Sequence, residues 1–215
     1  MMGYFPVGFA FGVLAAAAGL SISDSAAMSL FVYAGSAQLI SVGLIEAGAG
    51  PFTLAATVFL VNLRHLLMSA YLAPYLSKLK RRQQILFCYQ LTDETFAVHS
   101  AQFRCRGASP NAHLIALNMA SHAAWVSSTL IGAWVSGRLP LDIKVFGLDY
   151  ALPAMFIALL VMQLENRKRI SVSLLAAALS LFLYLAGLKH WHIILAALIA
   201  ATLGAVADAK QPKGA

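Results

Sequence analysis

The chain has 215 residues, of which 60% are apolar and only 11% charged. A soluble domain carries about 25% charged residues, so this chain cannot cover a water-facing surface and reads as an all-α, polytopic integral membrane bundle. Its formal charge of +7 sits in short basic clusters between apolar runs rather than on one face, which excludes a nucleic-acid footprint.

A bilayer core about 30 Å thick takes about 20 apolar residues of helix. The first run, 3–20, contains Pro6, Gly8 and Gly12, a pattern that predicts a kinked helix with a thin face for packing. It lacks the basic start of a cleavable signal and begins so abruptly that a longer N-terminus is expected. The second run, 26–45, is interrupted by Gly35, and the third, 51–76, carries Asn62, Arg64 and His65 near its middle. Residues 85–103 form an ambiguous run with Asp93, Glu94 and His99. Four more runs follow at 113–136, 149–164 (broken by Pro153), 171–188 and 191–207. Cys88 and Cys105 match no disulfide or metal spacing, and the histidines form no zinc pattern.

The basic residues set the orientation. Lys78, Lys80, Arg81, Arg82, Arg104, Arg106, Arg167, Lys168, Arg169, Lys210 and Lys213 all belong in the cytoplasm by the positive-inside rule, which places the C-terminus there. With clusters at both ends of 85–103 inside, that run either stays near the cytoplasmic face or dips in to line a cavity. The expectation is about seven crossings.

A shift of 125 residues superposes Asp24, Phe31, Gln38 and Leu39 on Asp149, Phe156, Gln163 and Leu164, and Arg64-His65 on Lys189-His190. Chance in a Leu/Ala-rich chain is one explanation. The matching polar residues favour a single transport domain, 1–215, built of pseudo-repeats 3–84 and 113–207 joined by 85–110. Equivalent helices are then separated by an odd number of crossings, so the halves are inverted, and the substrate site belongs at their interface.

Charged groups at a helix centre cost about 2.5–3.5 kcal/mol on insertion scales, so they normally face protein or water. Arg64 either holds a substrate carboxylate through a charge-assisted contact or pairs with Asp93 or Glu94. His65 is a proton relay or a satisfied core histidine. In Tyr33-Ala34-Gly35-Ser36-Ala37-Gln38, Gly35 permits close approach or unwinding, exposing backbone groups that suit a zwitterion; plain small-residue packing is the alternative. In Leu91-Thr92-Asp93-Glu94, the carboxylates bind an ammonium, carry a coupling proton or lock Arg64, unless the segment is a solvated turn capped by Thr92.

At these residues the chain resembles the AzlC family, large subunits of branched-chain amino-acid exporters. The resemblance rests on Tyr4-Phe5-Pro6-Val7-Gly8-Phe9-Ala10-Phe11-Gly12, Tyr33–Gln38, Asn62-Leu63-Arg64-His65, Leu91–Ala97, and Gly147 through Phe156, in order across residues 3–205. It implies export of valine, leucine or isoleucine across the bacterial plasma membrane with a small AzlD-type membrane subunit as partner. Family members usually carry further residues before the first helix.

The resulting expectation is a secondary transporter working by alternating access, with no catalytic residue, metal or cofactor. Gly35, Ser36, Gln38 and Gln163 face the zwitterion, Arg64 meets its carboxylate or Asp93/Glu94, and Phe31 and Phe156 receive the apolar tail. An intramembrane enzyme lacks any nucleophile–base or metal motif. A scaffold subunit predicts that the polar groups pair only with one another, around no cavity.

Overall fold

The first helix, α1 (Tyr4–Ala17), carries Pro6 within its first turn, where a missing N–H forfeits no intrahelical bond. Pro6 therefore sits where it helps to start a helix that is continuous from Tyr4 to Ala17. Gly12 serves a close contact. In the computed structural model, which describes residues 3–106, 111–139, 167–188 and 192–209 with positions 147, 150, 153, 154, 157, 158, 160, 161 and 164, α1 lies against a later helix, Asn111–Ser136. A Cβ on Gly12 would fall 2.2 Å from the carbonyl oxygen of Thr129, and one on Gly132 would fall 2.2 Å from that of Phe9. Two backbones this close admit no side chain between them, which is the packing that small residues at four-residue spacing allow in membranes.

The second run is broken. A capping box of Ser21 and Asp24 opens α2 (Ile22–Ala27), which passes into a π-helical turn, Met28–Val32. Tyr33 then adopts φ 42°, a left-handed conformation that costs a non-glycine residue energy, and Ala34 is extended. The chain resumes as α3 (Gly35–Glu46), whose first N–H groups receive no side-chain cap.

Gly50 and Pro51 start α4 (Pro51–Leu72), extended by a 3₁₀ turn, Ala73–Leu76. The ambiguous run is two helices, α5 (Arg81–Tyr89) and α6 (Asp93–Arg106), separated at Gln90-Leu91-Thr92. At 1.5 Å per residue α5 is about 13 Å long and α6 about 21 Å, so neither alone reaches across a bilayer. Helix α7 (Asn111–Ser136) completes the unit within Met1–Phe156.

Two apolar clusters hold this unit together. Phe11, Tyr33, Leu39 and Trp125 join α1, α3 and α7, while Leu72, Leu76, Phe87, Leu91 and Phe103 join the end of α4 to α5 and α6. Tyr75 stacks on Phe103 with centroids 4.9 Å apart. Polar side chains share the interior with them: Ser29, Gln38, His99, Asn118 and Thr129 are fully buried, whereas Phe52 on α4 is 85% exposed. That inversion is the signature of a chain whose surroundings are hydrocarbon.

A second unit, within Ile157–Ala215, contains α8 (Arg167–Leu185) and α9 (His192–Ala209) packed together. Ala196 and Ala200 are buried, and a Cβ on Gly204 would meet Val172 at 3.0 Å, so a small-residue ridge of α9 seats on α8. Among the described residues, 51–76, 112–136 and 167–185 are long and apolar enough to cross a membrane; 4–17, 22–32 and 195–206 are shorter apolar helices. Most of 149–164 lies outside the described residues, although Pro153 stands in a helical stretch with its ring exposed.

Candidate functional site

Both breaks open onto one cavity. The first supplies Tyr33, Ala34, Gly35 and Ser36, and the second supplies Thr92, Asp93 and Glu94. Arg64 and His65 enter from α4, Tyr4 from α1 and Trp125 from α7. Breaking a helix in the buried interior exposes backbone groups that must be satisfied within the protein, and the site is organised around that need. The freed carbonyl of Leu91 accepts a hydrogen bond from His65 Nδ1 at 3.0 Å. Thr92 and Thr95 cap α6 reciprocally, Thr92 N–H donating to Thr95 Oγ1 at 2.9 Å. Leu91 is fully buried and Thr92 only 7% exposed, so this segment is no solvated turn.

Arg64 forms the ion pair expected as one of its two alternatives, Nη1 to Asp93 Oδ2 at 2.9 Å, and its Nη2 donates to Ser36 Oγ. One guanidinium thereby ties α4 to the start of α3 and the start of α6. The Tyr4 hydroxyl hydrogen-bonds Thr92 and faces the Glu94 carboxylate. Three buried polar atoms of cavity residues have no partner among the described residues: Tyr33 Oη, Arg64 Nε and His65 Nε2. The volume open to the centre of a water molecule is about 20 Å³, room for about one water and none for an amino acid.

Other expected residues stand elsewhere. Gln38 lies behind the cavity wall, fully buried, donating through Nε2 to Ser29 Oγ at 3.1 Å and accepting from Trp125 Nε1 at 2.9 Å. Ser29 in turn donates to Thr129 at 2.9 Å. Gln38 thus braces the first break against α7 and holds Trp125, which lines the cavity. A Cβ on Gly35 would lie 2.8 Å from the Trp125 ring, so the glycine makes room for that indole. Phe31 is 71% exposed and does not face the cavity. The amide oxygen of Asn62 is buried without a partner among the described residues, outside the cavity lining. Gln163 and Phe156 lie outside the described residues.

Reading the sequence for charged residues misses Tyr4, Tyr33 and Trp125 as cavity residues. It also misses the buried face of α7, where Asn118, Ser121, His122, Trp125, Ser128 and Thr129 recur every three to four positions. That stripe was available as a polar period inside 113–136.

The chain matches the family model described as AzlC protein over residues 1–139, the stretch that holds every described cavity residue. It belongs to the AzlC family. An uncharacterized membrane protein of Archaeoglobus fulgidus is 33% identical over 92% of this chain and 86% of its own length. Inner membrane protein YgaZ of Escherichia coli is 30% identical over 80% of this chain and 72% of its own. The branched-chain amino acid transport protein AzlC of Bacillus subtilis is 23% identical over 78% of this chain and 65% of its own. No solved structure matches the chain.

Proposed function

We propose that this chain is the substrate-carrying subunit of a secondary transporter, exporting hydrophobic amino acids (valine, leucine, isoleucine) across the bacterial plasma membrane by alternating access. The observation that carries the reading is the set of partnerless buried groups, Tyr33 Oη, Arg64 Nε and His65 Nε2, gathered where two helices break. Unmet polar groups at this depth are costly, and a small zwitterion supplies what they lack. A scaffold subunit would have paired them with one another.

The uncapped N–H groups at the start of α3, with Arg64, offer donors and positive potential to a carboxylate. Glu94, beside the Tyr4 hydroxyl, offers an acceptor to the ammonium group. Trp125 gives the apolar tail a flat wall. With room for one water, this is the closed conformation; admitting substrate requires α3, α4 and α6 to part where Arg64 joins them. Asp93, freed as Arg64 turns to the substrate, is the group left to take a coupling proton. A small AzlD-type membrane subunit is the partner this reading carries, and the C-terminus is cytoplasmic.

The direct test is efflux of radiolabelled leucine from vesicles containing this chain with that partner. Saturable efflux lost in Arg64→Ala is expected. Full efflux retained by Arg64→Ala and Glu94→Gln together, or no ligand-dependent thermal shift with any of the twenty amino acids, overturns it.

A further inference from the structure

His122 stands behind the cavity on α7, 8% exposed, and touches both helix breaks. Its Nε2 meets the carbonyl oxygen of Ser29, in the π turn before the first break, at 3.2 Å. Its Nδ1 meets Nε2 of Gln90, at the second break, also at 3.2 Å. The Tyr33 ring lies over the imidazole with centroids 4.0 Å apart, and Tyr89 approaches edge-on at 6.0 Å. The titratable groups facing it are therefore two phenols, Tyr33 from the first break and Tyr89 from α5. Among the described residues no carboxylate, lysine or arginine is hydrogen-bonded or ion-paired to it.

A carbonyl only accepts, so Nε2 carries a hydrogen in either state of the ring. With the Gln90 amide nitrogen toward it, Nδ1 accepts and the imidazole is neutral. Gln90 Oε1 is buried with no partner among the described residues. A half-turn of that amide brings Oε1 to Nδ1, and the site then accepts an N–H from both ring nitrogens, as an imidazolium requires. The same two partners thus accommodate either protonation state, differing by one side-chain rotation. In the closed arrangement an imidazolium here would meet two phenol rings and hydrogen-bond acceptors but no counterion among the described residues, whereas parted breaks admit water to solvate it.

We propose that His122 is a proton-binding group that links the opening of both helix breaks to pH, neutral while the cavity is closed and protonated when it opens. This rests on the reading of the cavity as a transport site, yet the linkage is measurable without transport. In full-length protein with Trp134→Phe and Trp191→Phe, acrylamide quenching of Trp125 reports water access to the cavity wall. Lowering the pH from 8 to 5 should raise the quenching constant at least about twofold, and His122→Gln, which hydrogen-bonds but does not titrate, should flatten the response. Gln90→Leu keeps the histidine and removes the acceptor, so the transition should move to pH values about one unit lower. A wild-type response that is absent, or one that persists in His122→Gln with an unchanged midpoint in Gln90→Leu, overturns the proposal. Failed leucine efflux with this pH response intact would instead overturn the transport reading alone.

Discussion

Arg64 reaches Asp93 across the cavity, Nη1 to Oδ2 at 2.9 Å, and so fastens the middle of α4 to the first turn of α6. The pair is mostly withdrawn from solvent, with side-chain exposures of 25% and 17%. Removing one member strands the other's charge, which is the expensive change; removing both is cheaper. Arg64→Met and Asp93→Asn should each lower the melting temperature, and the double variant should recover part of the loss. A double-mutant cycle in detergent is expected to give about 1 kcal/mol or more of coupling. Additive losses would mean that the two side chains stabilise the fold independently.

Tyr33 separates binding from stability. Its hydroxyl is buried without a partner among the described residues, while its ring packs on His122. Tyr33→Phe keeps the ring and deletes the unmet group, so the melting temperature should hold or rise. Substrate affinity should fall about three- to tenfold, the worth of one hydrogen bond. Isothermal titration with leucine beside a melting curve checks both arms.

Gly35 and Gly43 sit on one helix with opposite surroundings. A Cβ on Gly35 meets the Trp125 ring at 2.8 Å, and one on Gly43 meets nothing within 4 Å. Gly35→Ala should cost about 1–3 kcal/mol through overpacking and alter the Trp125 emission. Gly43→Ala should stabilise by up to about 1 kcal/mol through helix propensity. Thermal unfolding followed by fluorescence compares the two.

Gln38 acts on the site through Trp125 and Ser29. Gln38→Ala leaves the buried Trp125 N–H without an acceptor and removes the bond to Ser29, which keeps Thr129, and should cost about 1–3 kcal/mol of stability. Gln38→Glu, protonated in this buried position, keeps a C=O acceptor for Trp125 and an O–H donor for Ser29, so it should be destabilised less than Gln38→Ala. A direct substrate ligand would instead lower affinity at unchanged melting temperature.

Much of this architecture was legible in the composition. The apolar runs at 51–76 and 113–136 became α4 and α7, because hydrocarbon thickness sets helix length directly. The cost of a lone charge marks Arg64, for which the sequence leaves open a substrate carboxylate, Asp93 or Glu94; the structure pairs it with Asp93. Gly35 marked a break, but its left-handed residue is Tyr33, a type that propensity assigns no such conformation. Phe31 was expected inside and is exposed; the π turn inserts an extra residue and re-aims the side chains around it. The polar stripe of α7 was hidden by averaging hydropathy over a run whose outer face is apolar. Its partners, Gln38 and Gln90, are 87 and 32 residues distant from the residues they bind, a separation no local pattern encodes.

The α1–α7 crossing bears on how such a chain enters its membrane. Residues 4–17 are synthesised before α7 and carry no charge. Asn118 and His122 arrive later, on a helix apolar enough to cross but with a polar face that is buried in the fold. With Gly8 and Gly12 already embedded, the nascent polar ridge finds a waiting dock, and the order of synthesis itself becomes a chaperone.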